Sequence, residues 1–282
     1  MKKVGQFFKC LLPTLILLFV QIFASGLVTT FVLFMFIVTT GTTDVSIATE
    51  YAMGLLRDSN FVLYILLIYE AVSFVIFVLI YFVGLKKKFN TISGHFSLKT
   101  VPIIIVFFVG IELIISCLLV IAETIAPDLM TDYVNLIESS GLADLSILST
   151  ILTLVCAPIV EELAMRGVTM TWAMKLFNNK FWLANIFQAF LFGVLHMNLV
   201  QGIYAFVLGL LLGYVCNKYK SLWASIIAHL TFNFAGTYIT SFLFGSSDVV
   251  PTSKLVFTAV GAVVVTAGFA YLLMEDKTCE EA

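Results

Sequence analysis

The chain has 282 residues, 61% of them hydrophobic and only 11% charged, where soluble domains carry about 45–50% and about 25%. Fifteen Lys and Arg against seventeen Asp and Glu leave a net charge of −2. These values exclude a soluble globular enzyme, leave no basic face for nucleic acid, and show no charged tract that would argue for disorder.

A bilayer core about 30 Å thick takes roughly 20 apolar residues at about 1.5 Å each. Eight stretches qualify, near 11–40, 61–84, 101–126, 146–174, 181–198, 199–217, 221–245 and 255–274. They predict an all-α, polytopic membrane protein with about eight transmembrane helices, forming a single domain over 1–282. The fifth and sixth are short and share only a brief connection at Met197 and Asn198. One of them is therefore expected to be tilted, broken or incompletely spanning.

Met1-Lys2-Lys3 resembles the start of a signal peptide, yet the apolar run behind it is too long and lacks a small-residue cleavage pattern. A retained anchor is the expectation. Lysine placement then sets orientation, because basic residues are held on the cytoplasmic side. With the N-terminus inside, the inner segments hold Lys2, Lys3, Lys9, Lys86, Lys87, Lys88, Lys99, Lys175, Lys180, Lys218, Lys220 and Lys277, and the outer ones only Arg57 and Lys254. The expected location is a multi-pass position in a cell membrane with both termini cytoplasmic. The longest connections, 41–60 and 127–145, mix apolar and acidic residues, which suits either short interfacial helices or ordinary loops. In the sixth segment Gly209 and Gly213 form a small-xxx-small pair suited to close helix packing.

Five cysteines without a CxxC pair give no disulfide framework and no structural zinc site. Cys117, Cys156 and Cys216 read as small apolar helix residues. Cys279-Glu280-Glu281-Ala282 matches a prenylation box in length alone, since its middle positions are acidic.

Ionisable groups deep in a membrane helix cost about 2.5–3.5 kcal/mol each. The fourth segment nevertheless reads Pro158-Ile159-Val160-Glu161-Glu162-Leu163-Ala164-Met165-Arg166-Gly167. Residues four apart on a helix differ by about 40° and neighbours by about 100°. Glu162 can therefore pair with Arg166 while Glu161 projects elsewhere, which suits it to act as a general base or acid. Two of the three histidines, His196 and His229, also fall in membrane segments, with Asn233 one turn after the second. A single buried histidine is more often a packing residue; two of them beside a glutamate pair are a less common set. Counted from the turn at Asn178, Glu161 lies seventeen residues before and His196 eighteen after, so antiparallel helices bring them to similar depth. His229 and Asn233 match that depth only loosely, and helix tilt must supply the rest.

Peptide hydrolysis without a covalent intermediate needs a base for water, a partner that holds the water, and donors to the developing oxyanion. Glu161, His196, and His229 with Asn233 supply these parts. Zinc held by Glu and His is the main chemical rival, although no His-Glu-x-x-His occurs. A serine nucleophile lacks its Gly-x-Ser-x-Gly turn. Outside this set, Glu70 and Glu112 are further intramembrane acids that leave proton-coupled transport open, although no inverted repeat supports it.

Glu161-Glu162-x-x-x-Arg166, Phe192-x-x-x-His196 and His229-x-x-x-Asn233, in that order on successive apolar helices, resemble the three motifs of the CAAX protease and bacteriocin-processing (ABI) family. The resemblance covers about 145–240. It implies an intramembrane glutamic endopeptidase without a metal cofactor, in which Glu161 activates water, His196 assists, His229 and Asn233 form the oxyanion site, and Glu162, Arg166 and Phe192 support them. The substrate class it implies is a membrane-associated or lipidated peptide or protein, and the short-tailed architecture looks more like a bacterial member, which implies a bacterial cell membrane. A non-catalytic bacteriocin-immunity or signalling scaffold is the other reading. The sequence sets neither the oligomeric state nor the physiological substrate.

Overall fold

The computed structural model describes residues 2–142, 145–245 and 250–277. The Cys279 box lies outside them. The described residues form ten helices: α1 (Lys2–Thr40), α2 (Val45–Arg57), α3 (Ser59–Gly84), α4 (Leu98–Ile125), α5 (Pro127–Ser139), α6 (Ile147–Leu176), α7 (Phe181–Leu195), α8 (Leu199–Tyr219), α9 (Leu222–Phe244) and α10 (Thr252–Glu275). Seven are long and apolar enough to cross a membrane: α1, α3, α4, α6, α8, α9 and α10. The eighth apolar leg, α7, has 15 residues, about 22 Å at the helical rise and short of a full bilayer core. It is the expected incompletely spanning segment. The chain ends it by turning at Met197, whose φ is +53°, and Asn198 then caps α8 by accepting from the Gln201 N–H at 3.0 Å.

The connections 41–60 and 127–145 do carry short helices, α2 and α5. Asp44 accepts from the Ser46 N–H at 2.8 Å at the start of α2, and these Ser46 hydrogen bonds hold its carboxyl below the ordinary range.

α6 is the axis of the fold and packs against α1, α3, α7 and α9. Its residues Glu162 to Thr171 are all buried, as expected of a helix apolar on every side and enclosed by neighbours. Many large apolar residues of α1 and α10 are instead exposed, among them Phe19, Ile22, Phe257 and Val264, which is the outer surface of a protein solvated by lipid. α7 and α8 form an antiparallel hairpin whose seam is made by glycine. A Cβ on Gly209 would press on Ala189, and one on Gly213 would overlap Asn185, so the predicted small-residue pair does allow close approach.

Lysine-bearing connections gather at one end of the bundle. Thr91 and Ser221 form an isolated bridge, and the His95 N–H donates to the Tyr219 carbonyl at 2.8 Å. Gln6 of α1 donates to the Trp172 carbonyl at 3.0 Å, and the Tyr219 hydroxyl donates to Asp276 at 2.7 Å. The beginning of α1 and the end of α10 therefore lie at the same end as the 85–97 and 217–221 connections. The four described cysteines, Cys10, Cys117, Cys156 and Cys216, are free.

Candidate active site

α6 is not uniform. Leu152–Cys156 and Leu163–Thr169 are π-helical, and the α-helical turn Ala157–Glu162 between them carries the two glutamates. Pro158 supplies no N–H to the carbonyl four residues back, which breaks the regular ladder beside the first π segment. Widened turns of this kind re-aim side chains and occur often at functional sites.

Glu162 and Arg166 are both fully buried and pair at 2.8 Å between Oε1 and a guanidinium nitrogen. The second guanidinium nitrogen donates to the Gly209 carbonyl at 3.3 Å, which also accepts from Gln188 at 2.9 Å. The guanidinium lies 4.5 Å from the centre of the Phe192 ring, a favourable cation–π placement. Helix geometry thus puts the pair where the four-residue spacing predicts, and α7 and α8 close over it.

His229 of α9 sits between the two glutamates. Its Nδ1 lies 3.0 Å from Glu162 Oε1, and its Nε2 lies 3.7 Å from Glu161 Oε2. The Glu161 side chain is 16% exposed and that of Glu162 is 0%, so the adjacent carboxylates differ in access as well as in partner. His196, at the end of α7, has Nδ1 2.8 Å from the Phe192 carbonyl. A carbonyl only accepts, so Nδ1 carries the proton there and Nε2 of the neutral ring keeps its lone pair. Both imidazoles meet the edge or face of Phe192, at 5.0 Å for His196 and 5.8 Å for His229. Phe192 therefore packs against both rings.

Asn233, one turn beyond His229, donates from its amide nitrogen to the Thr153 carbonyl at 2.9 Å. One of its two N–H groups is spent on α6 packing. No hydrogen bond joins Glu161 to His196 among the described residues; His229 meets Glu161, and Phe192 lies against both imidazoles. Glu70 of α3, read from the sequence only as a further buried acid, faces this cluster closely enough to interact electrostatically with Glu161, and its Oε2 has no hydrogen-bond partner. No motif marks it. The signal available in the sequence was its position inside an apolar run.

Residues 143–235 match the family model described as Rce1-like, type II CAAX prenyl endopeptidase. No curated protein and no solved structure matches the chain. The matched stretch is about one third of the chain and holds all seven motif residues from Glu161 to Asn233. The description is that of an endopeptidase, so over this stretch the chain is similar to CAAX prenyl endopeptidases. Helices α1 to α5 and α10 lie outside it.

Glu162 Oε1 already serves both Arg166 and His229. Among the described residues no group of three or more His, Cys, Asp and Glu side chains is disposed to hold a metal ion. Two cavities of about 300 and 240 Å³ lie away from the motif residues, one along the α4–α10 seam and one between α4 and the end of α9.

Proposed function

We propose that this protein is an intramembrane endopeptidase that hydrolyses a peptide bond in a membrane-associated or lipidated peptide, with Glu161 activating water. The observation that carries the reading is His229, held through Nδ1 by the Glu162–Arg166 pair and directed through Nε2 at Glu161. Each of its ring nitrogens faces a carboxylate oxygen, an acceptor, which places both to act as donors.

In this reaction Glu161 takes a proton from water as the oxygen attacks the carbonyl carbon. His196 Nε2 accepts a hydrogen bond from that water and orients it. The developing oxyanion is met by the His229 Nε2–H and by the second N–H of Asn233, while Glu162, Arg166 and Phe192 fix the rings. Glu161 then passes its proton to the amide nitrogen as the C–N bond breaks, leaving a carboxylic acid and an amine and returning Glu161 to its carboxylate form. Each step uses side chains of this chain alone, so no metal ligand set is required.

The test compares wild type with Glu161→Gln in detergent on panels of membrane and lipidated peptides, read by mass spectrometry. A positioned general base contributes about 100- to 10,000-fold, so turnover should fall by at least about 100-fold with an unchanged unfolding midpoint. A fully active Gln variant overturns the assignment of the base.

A further inference from the structure

The connection between α3 and α4 is hydrogen-bonded into the bundle at its lysine-bearing end. The Tyr81 hydroxyl donates to the Asn90 carbonyl at 2.8 Å, and the buried Asn90 amide donates to the Arg166 carbonyl at 3.3 Å. The Phe89 N–H donates to the Thr171 hydroxyl at 3.0 Å. The turn after α8 closes the other side: the Thr91 N–H donates to the Lys220 carbonyl at 3.0 Å, and the Leu222 N–H to the Thr91 carbonyl at 2.8 Å.

Four lysines stand on this frame. Lys86 and Lys87 are exposed. The Lys88 ammonium lies 5.0 Å from the centre of the Tyr81 ring and 5.5 Å from that of Phe82, and the Lys220 ammonium lies 4.2 Å from the centre of the Phe89 ring. Ring faces hold a cation in place without neutralising it. The Lys220 ammonium also donates to the Asn217 side-chain oxygen at 2.6 Å, again a neutral partner. Among the described residues no ion pair joins any of the four to a carboxylate. The frame therefore presents positive charge that the protein leaves uncompensated.

Its depth is set by its neighbours. Phe82 and Val83 just before the lysines, and Leu98 at the start of α4, are exposed apolar residues, as on the rest of the lipid-facing surface. Trp223, exposed at the start of α9, donates its backbone N–H to the Ile92 carbonyl at 3.1 Å, and tryptophan collects at the headgroup level of a bilayer. The lysines thus begin where the hydrocarbon ends.

We propose that Lys86, Lys87, Lys88 and Lys220 form a binding site for the headgroup of an anionic phospholipid, whose acyl chains lie against the exposed end of α3. Clustered lysines beside a membrane span have the chemistry that retains such lipids, and the adjoining Phe82 and Val83 give the chains an apolar surface that a soluble phosphate would not use. Since Asn90 and Phe89 tie the same connection to α6, a bound headgroup braces that helix at the end of its second π segment. Lipid binding here is independent of any peptidase activity.

The experiment presents the full chain in non-ionic detergent with equimolar phosphatidylglycerol and phosphatidylcholine and reads the bound lipids by native mass spectrometry. Each lysine near an anionic surface is worth about fivefold in affinity. Wild type should therefore retain phosphatidylglycerol over phosphatidylcholine by at least about tenfold, and the triple variant Lys86→Gln, Lys88→Gln, Lys220→Gln should bring that ratio below about threefold. A second triple variant, Lys9→Gln, Lys175→Gln, Lys180→Gln, removes the same charge from the same end of the bundle and should keep the wild-type ratio. Phosphatidylglycerol should also raise the unfolding midpoint of wild type, because a ligand of the folded state stabilises it. Wild type without an anionic preference overturns the site, whether or not the variants fold. Equal losses in the two triple variants overturn it as well, since the preference then follows overall charge. A midpoint raised as much by inorganic phosphate alone rejects the lipid as its occupant.

Discussion

Replacing Arg166 by Met tests whether the buried charge set stands on mutual compensation. The substitution removes the 2.8 Å pair to Glu162, the 3.3 Å bond to the Gly209 carbonyl and the guanidinium 4.5 Å from Phe192, while keeping most of the apolar stem. Glu162 is 0% exposed, so its lost partner cannot be replaced by bulk water. Breaking a buried pair in this way costs about 3–5 kcal/mol, chiefly through the uncompensated charge. Glu162→Leu alone should cost a similar amount by stranding Arg166. The double variant Glu162→Leu with Arg166→Met removes both charges and leaves mainly the His229 Nδ1–H without an acceptor, a penalty of about 1–3 kcal/mol. The double variant should therefore be at least as stable as either single one, with a coupling of several kcal/mol. Unfolding in mixed micelles followed by tryptophan fluorescence measures all three, since none of the changes touches a Trp. A single-variant cost below about 1 kcal/mol, or costs that simply add, would refute the compensated-pair argument.

Asn233→Ala removes a proposed oxyanion donor and should lower kcat about 100- to 1,000-fold; a loss under tenfold in single-turnover cleavage would assign the residue to its Thr153 bond alone. Activity should persist after EDTA and phenanthroline treatment, because the reaction is assigned to protein groups; loss on chelation restored by zinc would contradict it. Gly213→Ala should destabilise by about 1–3 kcal/mol through overpacking against Asn185, read as a lowered unfolding midpoint. The same measurement on Gly268→Ala, which meets nothing within 4 Å, should show little change.

Much of the fold was legible because lipid imposes a length rule, and the apolar runs in this chain obey it. The shortness of α7 was visible in the run itself. The Glu162–Arg166 contact was legible as well, since it lies within one helix and follows from angular spacing. The placement of His229 was not. Counting residues from Tyr219 assumes straight, regular helices, whereas α6 contains two π segments and α9 a third at Ala235–Ile239. Each shifts the register of the side chains beyond it, and no residue type announces it. The bond from Asn233 to Thr153 joins two helices, and its acceptor lies within a widened segment of α6 that no residue type marks. Glu70 was noticed as a buried acid, but only tertiary packing shows that it faces Glu161.

The division between the two neighbouring glutamates follows from one property of helices and one of water. Adjacent residues diverge by about 100°, so Glu161 and Glu162 cannot share the same surroundings even in one turn. Glu162 points into the enclosed stretch of α6, where a carboxylate is tolerable only with Arg166 and His229 upon it. That engagement uses its basic character for structure. Glu161 keeps partial access and meets His229 at the longer distance of 3.7 Å, leaving a carboxylate that is oriented but not consumed. Interchanging Glu162 and its partner set with hydrophobic residues would therefore remove the device that aims His229, although the proposed base would remain. On this argument Glu162→Leu with Arg166→Met should fold and still lose most of its turnover, separating the stability of the pair from its role in setting the imidazole.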